Sequence, residues 1–170
     1  MRKTGFLVVL FFAFAISQRS VLAQGFPYHL YEPRTLSELV DAHSSSKQVE
    51  GSTNLIISAE PFYSAIRLEY AGQSRKISQA RMGLFKLWIE SLKIKANQNK
   101  DPMSLIDKEF LFTECGKDYW IPVQTPAAND FPRTLKKGDR LTLYLMFVGG
   151  IGDKDKWDIV FFTNSFRIYE

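Results

Sequence analysis

The stretch "RLTLYLMFV" (140–148) decides how the rest of the chain is read. Leu141, Leu143, Leu145 and Phe147 alternate with Thr142, Tyr144, Met146 and Val148. Successive side chains on a β-strand point to opposite faces, so the leucines and Phe147 belong to one buried face. The opposite face is apolar as well, through Tyr144, Met146 and Val148. The same holds downstream in "WDIVFFTNSFRIYE" (157–170), where Val160 and Phe162 cannot share a face with Ile159 and Phe161. Strands apolar on both sides need cover on both sides.

Working upstream, "TPAANDFPRTLKKGD" (125–139) reads as a loop or a short helical turn. Before it, "KEFLFTE" (108–114) and "DYWIPVQ" (118–124) flank "CGK", where Gly116 suits the positive-φ position of a tight hairpin turn. Alternation puts Tyr119, Ile121 and Val123 on one face and Trp120, Pro122 and Gln124 on the other. In "KISQARMGLFKLWIESLKIKANQ" (76–98) the period changes, with Ile77, Ala80, Leu84, Leu87 and Trp88 at helical spacing. This predicts one amphipathic helix near 77–95. The β-branched and aromatic run "TNLIISAEPFYSAIRLEYAG" (53–72) predicts strands near 54–59 and 62–70, with Pro61 at a bend or an edge. "TLSELVDAH" (35–43) opens with Thr35 and has Glu38 three residues on, a capping box for a short helix. "QGFPYHLYEP" (24–33) reads as an extended arm, "SSSKQVEGS" (44–52) as a polar loop, and "GGIGDKDK" (149–156) as the loop before the last strand.

Short links between sequential strands imply antiparallel pairing. The expected fold class is therefore α+β and β-rich, a small antiparallel β-barrel, OB-like or SH3-like, with one long amphipathic helix packed on it. An open antiparallel sheet covered by that helix is the alternative.

The N-terminus carries an address. Arg2 and Lys3 precede the apolar run Gly5–Ile16, which as a helix rises only about 18 Å, short of the roughly 30 Å needed to span a bilayer. Val21-Leu22-Ala23 then offers a small-residue exit, the pattern of a secretory signal peptide cleaved after Ala23. An uncleaved anchor, with Arg19 at its end, is the alternative. The expected organisation is a signal peptide over 1–23, an arm, short helix and polar loop over 24–52, and one β-rich domain over 53–170. No transmembrane segment is expected after cleavage, and the product is expected to be exported, periplasmic or extracellular.

Cleavage changes the charge argument. The chain has 22 Lys and Arg against 18 Asp and Glu; without Arg2, Lys3 and Arg19 it has 19 against 18. The basic excess belongs mainly to the address, and a nucleic-acid partner is not expected. Cys115 is the single cysteine, so neither an internal disulfide nor a Cys-based zinc cluster can form. On a hairpin tip it is an accessible, reactive thiol, capable of linking two copies into a dimer.

No residue pattern announces catalysis. His29 and His43 are not spaced for metal ligation, and no G-x-S-x-G elbow is present. Asp153, Asp155 and Asp158 lack the Gly and bidentate Glu of a calcium loop, with Trp157 at the fifth position. Glu109 and Glu114 are two carboxylates on one strand, an ordinary arrangement rather than a glycosidase pair. No metal, cofactor or catalytic residue is therefore assigned. The expected function is an exported, non-catalytic β-barrel binding module for a protein or cell-envelope partner, with Trp120, Tyr144, Met146 and Trp157 as candidate binding residues. The alternative is a small secreted hydrolase without a recognisable motif.

Overall fold

The computed structural model describes residues 26–44, 55–58, 62–92, 101–153 and 156–169. The expected signal segment and nearly all of the polar loop lie outside them. The described residues form a mixed α+β, sheet-rich structure. Its strands are β1 (Glu32–Arg34), β2 (Leu55–Ile57), β3 (Tyr63–Lys76), β4 (Ile106–Glu114), β5 (Lys117–Gln124), β6 (Arg140–Asp153) and β7 (Lys156–Ile168). Its helices are α1 (Leu36–Ser44), α2 (Gln79–Ser91) and α3 (Thr125–Thr134).

The seven strands lie in the order β1-β3-β4-β5-β7-β6-β2, and β3 also pairs with β6. The path β3-β4-β5-β7-β6 therefore returns to β3. Most pairings are antiparallel, as short links require. Two are parallel and correct the all-antiparallel expectation: β1 with β3, and β5 with β7 through Val123 and Thr163. In each case a helix intervenes in the chain, α1 or α3, and gives it room to cross over.

The expectation of one long helix is also corrected. α2 runs for 13 residues, beside helices of 9 and 10. The start of α2 is fixed by Ser78, whose hydroxyl accepts the backbone N–H of Arg81 at 3.3 Å. α1 has the capping box of its sequence: the Thr35 N–H donates to Glu38 Oε2 at 3.1 Å, and the Glu38 N–H to Thr35 Oγ1 at 3.2 Å. α3 forms where a loop or a short helical turn was expected. Its proline near the N-terminus sits where the first N–H groups have no partner anyway, and its buried Ala128 and Phe131 face the core.

β6 is longer than expected because "GGIGD" (149–153) is strand, not loop. The glycines there answer to packing. An added Cβ on Gly149 would overlap the Ile56 carbonyl oxygen of β2, and one on Gly152 would lie 2.7 Å from the Trp157 ring. Strand glycine marks close approach as readily as it marks a turn.

The two faces of the late strands part as their alternation requires. Leu141, Leu143, Leu145, Phe147 and Phe161 join one cluster with Ile66, Phe112, Val123 and Phe131. Val148, Val160 and Phe162 join a second with Leu84, Phe85 and Trp88 of α2. α2 thus covers part of the second face. The N-terminal arm covers another part: Phe26, Tyr28 and Tyr31 all lie against the Tyr144 ring, with centroids 5.5, 4.7 and 5.3 Å away.

Candidate functional site

The arm does more than cover Tyr144. It walls a concavity of about 690 Å³ against the outer faces of β3 and β6, a volume in the range of ligand sites. Tyr28, Tyr31 and Arg34 come from the arm and β1, Ala65 and Arg67 from β3, Thr142 and Tyr144 from β6, and Tyr169 from the chain's end. A second concavity of about 730 Å³ shares Arg67, Glu114 and Tyr169 and extends to Cys115, Asp139 and Arg140.

Strand register builds the floor. Arg67 lies opposite Thr142 on β6, and Thr142 opposite Arg167 on β7. The three make one row across the sheet, with the row Ala65–Tyr144–Ser165 beside it; Arg167 and Ser165 continue these rows on β7, beyond the residues that line the concavity. The Arg67 guanidinium lies 5.2 Å from the Tyr169 ring centroid and that of Arg167 4.9 Å from the Tyr28 ring centroid. Tyr169 is fixed in turn by a 2.6 Å hydrogen bond between its hydroxyl and Thr142 Oγ1. Burial pushes the Tyr31 hydroxyl pKa up, although Asn164 Nδ2 donates to it at 3.0 Å and opposes the shift.

The carboxylates near this floor already have partners. Glu114 is buried and accepts from the Leu36 N–H at 2.8 Å, the Ser37 N–H at 2.9 Å and Ser37 Oγ at 3.1 Å. It occupies the positive N-terminus of α1. Glu38 completes the capping box, whose backbone and hydroxyl contacts with Thr35 hold its pKa below the ordinary carboxylate range.

A separate ionic cluster ties α2 to the sheet. Glu109, fully buried, accepts from Arg75 Nε at 2.5 Å and from Arg81 Nη1. Arg81 also reaches Asp158 at 2.8 and 2.5 Å and the Trp120 carbonyl at 2.9 Å. Burial alone would lower the Arg81 pKa; its bonds and charge contacts with Asp158 and Glu109 outweigh that and raise it. These groups serve structure, and Glu109 and Glu114 have separate partners rather than a shared substrate space.

The candidate binding residues are dispersed. Tyr144 lines the concavity but is only 8% exposed, because the arm lies on it. Met146 packs against the cluster under α2. Trp120 is half-buried, with the Arg75 guanidinium 4.0 Å from its ring centroid. Trp157 lies against Gly150 and Gly152. Cys115 is exposed at the β4–β5 turn, with φ of 49° beside Gly116 at 80°. His29 is exposed, whereas His43 stacks on Phe147 at 3.7 Å, and burial lowers its pKa.

Sequence reading missed Tyr28, Tyr169, Arg67 and Arg167. A signal existed for one of them, since alternation in "AIRLEY" puts Arg67 outward. Among the described residues, no group of three or more His, Cys, Asp or Glu is placed to hold a metal, and no helix is long and apolar enough to cross a membrane. No family model matches the chain, and no curated protein is significantly similar to it.

Proposed function

We propose that this chain is an exported, non-catalytic binding module built on a small OB-like barrel, which takes a cell-envelope component in the concavity beneath its N-terminal arm. The barrel reading is supported by the strand circuit β3-β4-β5-β7-β6-β3, by the parallel contact that completes it, and by α3 inserted between β5 and β6 with Phe131 in the core. The binding reading rests on one observation. A ligand-sized concavity is walled by tyrosines and arginines, while the adjoining carboxylates are committed to capping α1. Export rests on the charged start and short apolar run of residues 2–23. Cys115, exposed at its turn, supplies the thiol for a linked dimer under oxidising conditions.

The test is fractionation followed by binding. The exported product should begin at Gln24, and purified protein should sediment with isolated envelope material without releasing soluble fragments from it. Replacing Tyr28 and Tyr169 by Ala should abolish that sedimentation. Release of soluble fragments would instead establish the hydrolase.

A further inference from the structure

Among the described residues, the ion pairs of arginine engage Arg34, Arg75 and Arg81. Arg67 and Arg167 take part in none of them. Both are exposed, and they stand on either side of Thr142 in one cross-strand row. Neighbouring strands lie about 4.8 Å apart, so their backbones are separated by about 10 Å. Each guanidinium rests on a different tyrosine, and those rings, Tyr28 and Tyr169, are 39% and 38% exposed. Two separated cations, each beside an aromatic surface, form a site for a ligand with spaced anionic groups and apolar faces.

The charge around the row narrows the ligand further. Glu38 and Glu114 line the same concavity, and Glu69 and Asp139 line its neighbour. With 19 basic against 18 acidic side chains after residue 23, the chain has no basic excess to meet a long polyanion such as a nucleic acid. A short sugar chain with carboxylates fits the row: its carboxylates accept from the two arginines, and its C–H faces lie on the tyrosine rings. From this geometry we infer that the Arg67–Thr142–Arg167 row binds an acidic oligosaccharide, a chain of uronic-acid residues, with Tyr28 and Tyr169 as its platforms. The inference rests on the binding-module reading above and adds the ligand class.

The test uses the full mature chain and calorimetric titration with three probes: oligogalacturonate, its methyl-esterified form, and a single-stranded oligonucleotide. Anionic phospholipid vesicles are tested alongside by flotation. Oligogalacturonate should bind with an affinity that falls as salt rises, and the esterified form should bind roughly tenfold or more weakly. Arg67→Gln and Arg167→Gln should each reduce binding of the free acid roughly tenfold, with little effect on the esterified probe. These substitutions are on the surface, and an unchanged melting temperature shows that the fold is intact. Equal binding of both sugars, lost on Tyr28→Ala and Tyr169→Ala, would overturn the acidic ligand and leave the binding module standing. Binding of the oligonucleotide or vesicles in place of the sugar would also overturn it. Cleavage of either sugar would overturn the non-catalytic reading instead.

Discussion

His43 shows how one ring can set a pH response. It stacks on Phe147 and meets Phe62 edge-on, so burial disfavours its cation and its folded pKa lies below the ordinary 6.5. The unfolded chain then takes up a proton at a pH where the folded chain does not. Stability should be flat above that ordinary value and fall as pH drops through it toward the folded pKa. Chemical denaturation between about pH 7.5 and pH 5 should show this loss, and His43→Gln should flatten it. Cys115 answers to exposure alone. Native protein should react with a thiol reagent within about minutes, because turn residues lie on the surface. Labelling that required denaturant would contradict the exposed turn. The two tryptophans at the α2 end of the sheet should separate cleanly. Trp88 is 4% exposed in the second cluster, and Trp88→Ala should cost about 3–5 kcal/mol. Trp120 is half-buried beneath a solvated Arg75, and its stacking is worth only about 1 kcal/mol.

At the level of elements, α2 is held by packing and by the Arg81 cluster together. Glu109→Ala would leave Arg81 buried with one fewer carboxylate, a loss of about 3–5 kcal/mol. Arg75→Ala, at the exposed end of the same cluster, should cost about 1 kcal/mol or less. Urea denaturation of the two variants reads the difference directly. Much of this layout was legible in the sequence, because the signals are local. Alternation over 140–148 and 159–162 sorted side chains between two clusters, and Thr35 with Glu38 gave the capping box. Other elements were illegible because their cause lies elsewhere in the chain. The glycines at 149–152 look like a turn until β2 and Trp157 are set against them. The period of α3 is hidden by Pro126 and Pro132, and only the core that receives Phe131 reveals it. The candidate site was the least legible part. Its walls come from the arm, β3, β6 and the C-terminal tyrosine, which only register brings together.

On the scale of the whole molecule, long-range pairing dominates. β3 bonds to β4 on one side and to β6 on the other, and β6 lies more than sixty residues further along the chain. Loops of that length must be closed before their contacts return any stabilisation, which slows folding. The central amides of β3 and β6 should therefore exchange most slowly with solvent, at the free energy of global unfolding. Those of residues 26–31 should exchange faster, since the arm docks mainly through rings and a single 3₁₀ turn. Hydrogen exchange read by mass spectrometry distinguishes these, and equal protection of arm and central strands would refute the hierarchy. The Glu114 carboxylate adds an order of events. It caps α1 from 78 positions away along the chain. A helix of nine residues is marginal by itself in water, and its best cap emerges from the ribosome long after it does. The first residues of the domain to be synthesised are thus among the last to find their place. Until then they remain an open thread, the form in which a polypeptide passes most easily through a narrow pore.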